Sequence, residues 1–505
     1  MFVRKKVNKS GVVSIQILEK RSGKSVLVKT VGSSSDLKEV ADLFEKGKRL
    51  VSELKRQPNL NFDAVAEQQL VDLFFNGIRE LSLIGPELLL GKLFDEIGFN
   101  YIKEDMFRHL VLTRLCFPAS KLKTVDYLFK YKGLSIDVES VYRYLDKLSK
   151  KQKEKVQQIS YDHTLKILNN ELSLIFYDVT TLYFEAEQED DLRKTGFSKD
   201  GRQQQPQIVL GLLVSAGGYP LAYEIFEGNK FEGHTMLPVI EAFKGRYGLQ
   251  QLVVIADAGL MSNDNLVQLQ SNNYQYIIGA RLKNETQSIQ KQIFDTSLKN
   301  GESAEIVKDK NSRIIFSYSD ARAIKDAGNR KRGFQRLEKN IAKGKLTKQH
   351  INNRGYNKYL KLEGEIKISI NEDKYKEDGK WDGLKGYITN SPLPKNEIIE
   401  NYSQLWHIEK AFRISKTDLR IRPIFHRLKR RIEAHICIAF CAYKIYKELD
   451  RQLKIKNAAM SPEKAIDIAK TIYRITIQTN LSNTLHSRLY LDKEEQKQLI
   501  SLFDL

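Results

Sequence analysis

The chain has 505 residues, of which 41% are hydrophobic, and it carries a formal net charge of +20 with a pI near 9.4. This composition supports hydrophobic cores for roughly three domains and excludes wholesale disorder. No segment approaches the ~20 apolar residues of a membrane span and the N-terminus lacks a signal peptide's apolar core, so we expect a cytoplasmic protein and no membrane partner. The surplus positive charge favours a polyanionic partner, with nucleic acid as the leading candidate.

The first half of the chain begins with two regions of different pattern. Residues 1–60 alternate as VVSIQILEK and KSVLVKTVG before a helical stretch, which predicts a small basic β-hairpin and helix unit. This unit either touches DNA or serves packing and oligomerisation. Residues 75–170 have helical periodicity and are compatible with a helix-turn-helix DNA-binding domain, although plain helical packing has the same pattern.

Residues 171–283 change to strands. The segments LSLIFYDVTTLYFE, QIVLGLLVSA and YPLAYEIFEG predict three strands in succession. A helix over TMLPVIEAFKGRYG, a buried strand in LVVIADAG, a second helix and the strand YQYIIGARL follow. The pattern predicts an α/β fold in which helices flank a mixed sheet.

Residues 284–386 interrupt this pattern and are predicted to be a basic α+β insertion. Within 321–361 there are thirteen Lys or Arg residues and two acids, an excess of eleven positive charges. Such a one-sided block is typical of nucleic-acid contact, and a solvated helical face is the alternative. Residues 387–450 are expected to complete the sheet region, and 451–505 to form a C-terminal helical region.

Three acidic residues lie where buried elements end or present a polar face. Asp178 follows the apolar run LSLIFY, Asp257 follows LVVIA, and Glu409 lies in the amphipathic stretch YSQLWHIEKAFRISK. A carboxylate beside a core is unfavourable unless a cation or hydrogen bond compensates its charge. If the fold brings the three together, a divalent metal ion is the natural compensating charge. Taken singly, each acid can instead be a helix cap or half of a surface ion pair.

The spacing around Glu409 predicts one helix with a functional face. Tyr402, Glu409 and Lys416 are seven residues apart, and Arg413 lies four residues beyond Glu409, so all four are expected on one side. A basic run follows, for which phosphate contact is expected; it comprises Arg420, Arg422, Arg427, Lys429, Arg430 and Arg431.

Two further groups of residues are candidates for supporting roles. Glu232 or His234, in the segment GNKFEGHT, can support the acids, whereas Thr235 in the same segment is a good helix cap. Trp381 and Trp406 can stack on an extruded base, and core packing is the alternative for both.

The segments YDVTTLYFE, IADAGLMS and YSQLWHIEKAFRISKTDLRIRP resemble the bacterial insertion-sequence transposases of the Asp-Asp-Glu class, in the group with a β-rich insertion before the last acid. The resemblance implies a ribonuclease-H-like core with a helical N-terminal DNA-binding region. It also implies that Asp178, Asp257 and Glu409 are catalytic and bind two metal ions. The group's Tyr-x2-Arg-x3-Glu-x6-Lys signature matches at Tyr402, Glu409 and Lys416, with Leu405 at the Arg position.

The expected function is therefore that of a DNA transposase. It would cleave the ends of an insertion element and join them to target DNA, by a cut-and-paste route. All-oxygen ligation favours Mg²⁺, with Mn²⁺ as a substitute. The expected partners are double-stranded DNA, as terminal inverted repeats and target, and a second copy of the chain on that DNA, in the bacterial nucleoid. DNA-contacting residues are expected at Tyr402, Arg413, Lys416, Arg420, Arg422, Lys429, Arg430 and Arg431. The alternatives are a catalytically silent protein that binds element ends and a metal-dependent nuclease without strand transfer.

Overall fold

The computed structural model describes residues 1–21, 23–55, 64–148, 150–186, 188–197, 204–249, 252–260, 262–353, 355–363, 367–479 and 483–505. Ser22 of the predicted hairpin turn, Met261 of the segment IADAGLMS and the predicted boundary at residue 60 lie outside these ranges. The chain forms two compact units. One comprises Met1–Leu81 with Ile475–Arg488, and the other Ser82–Arg474 with Leu489–Leu505.

The first unit begins with a small antiparallel sheet and a helix. Strands β1 (Phe2–Val7), β2 (Val13–Arg21) and β3 (Lys24–Ser34) pair in that order, and the helices α1 (Leu37–Lys55) and α2 (Ala64–Gly77) and strand β4 (Ile78–Leu83) follow. The β2–β3 hairpin and the helix after it agree with the alternation in the sequence, whereas β1 was not predicted. Ile15 and Ile17 of β2 are fully buried and form the core of this small sheet.

A helical region opens the second unit. After a π-helical turn at Glu87–Gly91 come α3 (Lys92–Ile97), α4 (Asp105–Cys116), α5 (Lys121–Lys132), α6 (Val138–Lys147) and α7 (Lys150–Ile167). Helix α5 ends at Gly133, whose φ of 66° is readily adopted only by glycine, and the chain turns there into α6. Val141 and Leu145 of α6 are fully buried, so one face of this helix packs inside the unit.

The sheet at the centre of the second unit combines antiparallel and parallel strands. Its first part contains β5 (Leu174–Tyr183), β6 (Gln207–Ser215), β7 (Pro220–Glu227), α8 (Met236–Tyr247), β8 (Val253–Ala256), α9 (Asn263–Ser271) and β9 (Gln275–Ala280). β5, β6 and β7 form an antiparallel meander, β8 pairs parallel with β5, and β9 pairs parallel with β8. The mixed sheet flanked by helices confirms the predicted fold class.

The basic insertion extends this sheet. It contains α10 (Gln287–Asp295), β10 (Ser303–Val307), β11 (Arg313–Tyr318), α11 (Asp320–Ala342), β12 (Leu360–Glu363), β13 (Lys367–Ile370), α12 (Glu372–Gly379) and β14 (Leu384–Thr389). β14 pairs antiparallel with β9, which gives the sheet order β10-β11-β14-β9-β8-β5-β6-β7. The strand predicted in EIKISINEDKY ends at Ile370, because the Asn371 side chain caps α12 by accepting a bond from the Lys374 amide.

Helices cover the sheet in the last part of the chain. They are α13 (Lys395–Ser403), α14 (Trp406–Thr417), α15 (Lys429–Ile455), α16 (Pro462–Ala469) and α17 (Glu494–Phe503). The C-terminal region was expected to be helical, but β15 (Tyr473–Gln478) and β16 (Leu485–Tyr490) form a sheet with β4. Tyr473 begins a stretch of β-branched and aromatic residues that alternates as a strand does. Among the described helices, none is long and apolar enough to cross a membrane.

Helix α15 connects the helical region to the sheet. It contacts α4 and α6 on one side and β7 on the other. Its middle turns are almost completely buried, including Cys437, Cys441 and Lys444. One hydrophobic core therefore extends from the helical region to one face of the sheet. Helices α3 to α7 consequently share a core with the strands on which the acids lie.

Candidate active site

Asp178 and Asp257 lie side by side at the point where two parallel strands diverge. In the β5–β8 pair, Tyr177 lies opposite Ala256, so each acid is the next residue on its strand. Neighbouring strands are about 4.8 Å apart, and residues in matching positions of parallel strands face the same side of the sheet. β8 ends at Ala256, which leaves Asp257 exposed, whereas Asp178 is half-buried because β5 continues and pairs with Leu212 of β6. The strand register thus brings two of the three predicted acids together.

Local hydrogen bonds orient both carboxylates. Oδ1 of Asp178 accepts a bond of 2.8 Å from the backbone amide of Val179. Oδ1 of Asp257 likewise accepts a bond of 2.7 Å from the amide of Ala258. Each side chain is therefore held against its own backbone.

A third acid, Glu232, stands beside Asp257. A Cβ atom placed on Gly259 would lie 3.7 Å from Oδ2 of Asp257 and 3.8 Å from Oε2 of Glu232, so both carboxylates flank this glycine. Asn265 joins the two turns that carry these acids, because its side-chain amide donates to the carbonyls of Gly233, at 2.7 Å, and Leu260, at 2.8 Å. Glu232 is therefore the better of the two candidates in its segment.

The helix-capping alternative for this segment is wrong. Thr235 precedes α8, but its hydroxyl donates 2.6 Å back to the carbonyl of Glu232 and makes no capping bond to the helix. This bond tightens the 3-10 turn Glu232–His234 that presents Glu232. The ring of His234 instead lies 5.3 Å from that of Phe231.

Glu409 is exposed on α14, a helix that packs against β5. Lys385 of β14 interacts electrostatically with both Glu409 and Asp257. Burial and the charge of Arg322 lower the pKa of Lys385, and the two carboxylates partly oppose this decrease. The Lys385 ammonium lies 4.7 Å from the centre of the Tyr402 ring. Lys385 therefore lies among the acids, although no sequence motif pointed to it.

Tyr402 is buried and directs its hydroxyl at Asp257. The hydroxyl lies 3.5 Å from Oδ1 of Asp257, and the ring packs edge-on against Tyr387 at 4.8 Å. Burial and the charge of Asp257 raise the pKa of Tyr402, so the phenol stays protonated and donates. The hydroxyl fits because residue 279 is glycine: a Cβ there would lie 2.5 Å from it. Tyr402 thus contacts an acid, where the sequence predicted a contact to DNA.

The prediction of one continuous helix carrying Tyr402, Glu409 and Lys416 is wrong. α13 ends at Ser403 and α14 begins at Trp406. Between them the backbone hydrogen bonds span three residues instead of the four of an α-helix. For example, the Leu405 amide donates to the Tyr402 carbonyl at 3.0 Å. Leu405, at the position where the resembling group has Arg, is 6% exposed and packs in the core. Leu405 therefore fixes the junction between the two helices.

A comparison with protein families identifies the region of the chain that carries these acids. Residues 169–445, more than half of the chain, match the family model described as Transposase DDE domain, and this range contains Asp178, Asp257 and Glu409. The chain belongs to the DDE transposase family. None of the curated proteins that were compared matches the chain.

Two solved transposase structures are similar to parts of the chain. One is the piggyBac transposase synaptic complex with hairpin DNA, at 10% identity over 72% of this chain and 69% of that chain, with a TM-score of 0.37. The other is the Mos1 transposase paired-end complex with left transposon end, at 10% identity over 31% of this chain and 53% of that chain, with a TM-score of 0.16.

DDE transposases generally use divalent metal ions, and the donor chemistry of this transposase fits such ions. Carboxylate oxygens are the preferred ligands of Mg²⁺ and Mn²⁺. Within the described ranges, however, no three His, Cys, Asp or Glu side chains are close enough to hold one ion. Asp257 and Glu409 are both exposed, so their side chains can turn without repacking the core. The backbone places the donors on neighbouring elements, and the side chains must still converge to complete a metal site.

The predicted DNA-contacting residues of the transposase divide into two groups. Arg413, Arg420 and Lys429 are exposed, and Lys416 and Arg422 are half-buried, with the Arg422 guanidinium 5.6 Å from the ring centre of Tyr183. Arg430 and Arg431 both bind Asp146 of α6, at 2.8 and 2.7 Å. These bonds hold the pKa of Asp146 well below its usual range. The charges of Arg430 and Arg431 thus connect α15 to α6, a contact that the local sequence did not indicate.

A cavity of about 440 Å³ opens beside Asp257 and Tyr402. Its lining adds the cations Arg281, Lys283, Arg322 and Lys385 to these residues. Trp381 also lines it and packs against Phe294 with ring centres 4.5 Å apart, while Trp406 is 51% exposed. A cavity lined by four cations and one carboxylate suits a phosphodiester, because the cations offset its charge.

Proposed function

We propose that this DNA transposase performs metal-dependent cleavage at the ends of an insertion element and strand transfer into target DNA, with Asp178, Asp257 and Glu409 as its catalytic carboxylates. The single observation that carries the proposal is the register of β5 and β8, which aligns Asp178 with Asp257 while α14 packs on β5. Two of the three acids lie side by side on neighbouring strands, the third lies on the helix that packs against β5, and all three lie inside the range that matches the family.

The chemistry consists of two displacements at phosphorus. In the first, a water oxygen bonds to phosphorus and the bond to the 3′ oxygen breaks, which leaves a 3′-hydroxyl and a 5′-phosphate. In the second, this hydroxyl attacks a target phosphodiester and displaces another 3′ oxygen, so the number of ester bonds is conserved. Two divalent ions, Mg²⁺ or Mn²⁺, would supply charge stabilisation at the attacking and leaving oxygens.

The residues around the acids have distinct proposed tasks. Asp178, Asp257 and Glu409 would hold the ions, and Tyr402 keeps Asp257 oriented through its hydroxyl. Glu232 supports Asp257 from the other side of Gly259. Lys385 and Arg322 would face the phosphate oxygens, because both line the cavity beside Asp257.

Double-stranded DNA is the proposed partner, as terminal inverted repeats and as target, and we propose that two copies of the chain assemble on it. The net charge of +20 supports a polyanionic partner. Helix α11 adds a row of exposed cations; these are Lys325, Lys331, Arg332, Arg336 and Lys339. Arg413, Lys416, Arg420, Arg422 and Lys429 are the proposed contacts close to the cleavage site.

The test incubates the purified transposase with a DNA fragment that carries the element's ends, with and without Mg²⁺. Asp178→Asn, Asp257→Asn and Glu409→Gln are expected to retain DNA binding and to lose Mg²⁺-dependent cleavage. Asp264→Asn is the matched control for Asp257→Asn, because Asp264 is exposed on the next helix, α9, and lies outside the site. Wild-type cleavage by any of the three variants would disprove the catalytic role of that residue.

The products separate the alternative functions. Joined products, or a hairpin at the flanking DNA, indicate strand transfer, whereas cut ends alone indicate a nuclease. Binding without cleavage in the wild-type chain indicates a silent protein that recognises element ends. Each outcome is visible on the same gel.

A further inference from the structure

A second cavity, of about 370 Å³, lies between the helical region and the segment that follows α14. Its lining is rich in basic side chains; these are Arg114, Lys121, Arg420, Arg422, His426 and His435. No carboxylate lines it. It is therefore separate from the acidic site at the end of β5 and β8 and has the opposite charge.

Two of the cations are buried without a counter-charge. Arg114 is 6% exposed and Lys121 is 5% exposed. Across the described ranges, Nζ of Lys121 has no hydrogen bond or ion pair, and Arg114 has only a 3.5 Å contact from Nη1 to the carbonyl of Leu419. Burial, together with the charge of Arg114, lowers the pKa of Lys121, and burial lowers the pKa of Arg114 to about 10. An unpaired buried cation destabilises a fold by several kcal/mol unless an anion joins it.

Two imidazoles also line the cavity. Nε2 of His435 donates to the carbonyl of Ile421 at 2.9 Å, so in the neutral ring Nδ1, which is buried with no partner in the described structure, is an acceptor. Burial and the charges of Lys121 and Arg114 lower the pKa of His426 to about 4. The carboxylate that acts on His426 is Asp146, which already binds Arg430 and Arg431. Among the described residues, therefore, no free carboxylate lines this cavity.

The backbone around the cavity also favours an anion. Ser120 caps α5, and the first turn of this twelve-residue helix faces the cavity, where its amides and dipole attract negative charge. Arg420 has a φ of 45°, a left-handed conformation that is unfavourable for a residue other than glycine. The chain thus holds a strained arginine at the mouth of a cationic cavity.

We propose that this cavity binds a phosphate group of the DNA on which the transposase acts. The proposal rests on the proposed function for its source of phosphate. An oxyanion with several acceptor oxygens matches a guanidinium, an ammonium and helix amides that line one space. Arg420 and Arg422 follow α14, the helix that carries Glu409. Arg422 lies against Tyr183 of β5, whose side chain faces the side of the sheet opposite to that of Asp178.

The first experiment measures thermal unfolding in inorganic phosphate and in chloride of equal ionic strength. Phosphate is expected to raise the Tm of the wild-type chain and of Lys130→Met, a control on an exposed position of α5. Lys121→Met is expected to weaken phosphate binding at least about tenfold and to leave the Tm without phosphate equal or higher, because it removes an unpaired charge. If phosphate does not stabilise the wild-type chain, or if Lys121→Met responds as the wild type does, the cavity is not a phosphate site.

A second variant covers the case in which Lys121→Met fails to fold. Arg420→Asn lies on the surface and tolerates the left-handed backbone, because asparagine adopts it readily. It is expected to fold and to reduce the phosphate response. A full phosphate response in this variant would remove Arg420 from the site.

The DNA arm of the experiment distinguishes the two sources of phosphate. Lys121→Met is expected to weaken duplex binding about tenfold. It should also reduce the slope of log affinity against log salt by roughly one, as the loss of one phosphate contact does. Unchanged DNA binding with a lost phosphate response would show that the cavity takes free phosphate, which overturns the DNA assignment. Failure of the proposed function would be seen differently. Asp178→Asn would still cleave DNA, while phosphate would still raise the Tm of the wild-type chain.

Discussion

The hydroxyl of Tyr402, on α13, lies 3.5 Å from Oδ1 of Asp257, the residue that follows β8. A buried phenol that donates to a catalytic carboxylate restricts its rotation, whereas a phosphate ligand would have to be exposed. If Tyr402 orients Asp257, its hydroxyl affects the cleavage rate. If Tyr402 binds a DNA phosphate, its hydroxyl affects DNA affinity.

Tyr402→Phe is expected to reduce the cleavage rate about tenfold, because Asp257 loses the hydrogen bond that orients it. DNA affinity should stay within about twofold of the wild type, measured by anisotropy with a labelled element end. Tyr387→Phe is the matched control, since Tyr387 packs on the Tyr402 ring and is not in contact with an acid. A loss of affinity with an unchanged single-turnover rate would support the phosphate role that the sequence predicted.

Gly279→Ala tests the space that Tyr402 occupies. The added Cβ would lie 2.5 Å from the Tyr402 hydroxyl and 3.1 Å from the amide nitrogen of Ala258, so the hydroxyl must move. We expect a loss of about 1–3 kcal/mol in unfolding free energy and a large loss of cleavage. Gly245→Ala in α8 is the control, because nothing lies within 4 Å of its Cβ and alanine should stabilise the helix by about 0.5–1 kcal/mol. Equal unfolding midpoints for the two variants would contradict the packing argument.

The positions of Asp178 and Asp257, which follow apolar strand segments, were predictable from the sequence. Asp178 and Asp257 end apolar runs, and such runs form the neighbouring strands of a central sheet, so their positions follow from local pattern. Glu409 was identified in the same way, from an amphipathic stretch. The strand and helix pattern between residues 172 and 282 agrees with the structure for the same reason.

The rest of the site depends on contacts between distant segments. Glu232 meets Asp257 only because Asn265 binds both of their turns. Lys385 reaches the acids because β14 pairs with β9, a pairing that local periodicity cannot specify. The break at Leu405 was missed because helical spacing continues across it, and packing of this side chain in the core decides where the helix ends.

Helix α11 should provide phosphate contacts that depend steeply on salt. Arg336, Lys339 and Lys343 are exposed, and the triple change to Gln is expected to reduce the slope of log affinity against log salt by roughly 2–3. The measurement is duplex binding over a series of salt concentrations. The control changes three lysines that already pair with acids; these are Lys464, Lys470 and Lys497. An identical slope for the wild type and the α11 variant would show that this helix is only a solvated face.

Lys444 makes stability depend on pH. It is fully buried in α15, donates to the carbonyl of Ser160 and the hydroxyl of Thr164, and burial lowers its pKa from 10.5 to about 7. Between pH 7 and 10.5 the unfolded chain binds more protons at this site, so its contribution to stability rises with pH there. Below pH 7 both states are charged and the penalty is complete.

Lys444→Met is therefore expected to stabilise the fold most at pH 6, by about 2–4 kcal/mol, because methionine fills a similar volume without charge. The gain should shrink as pH rises towards 10, where the wild-type lysine is neutral in the folded state. Urea unfolding at pH 6, 8 and 9.5 measures this trend. Lys454→Met is the control, since Lys454 is exposed on the same helix and pairs with Asp450. A gain independent of pH would show that packing rather than the buried charge limits stability at this position.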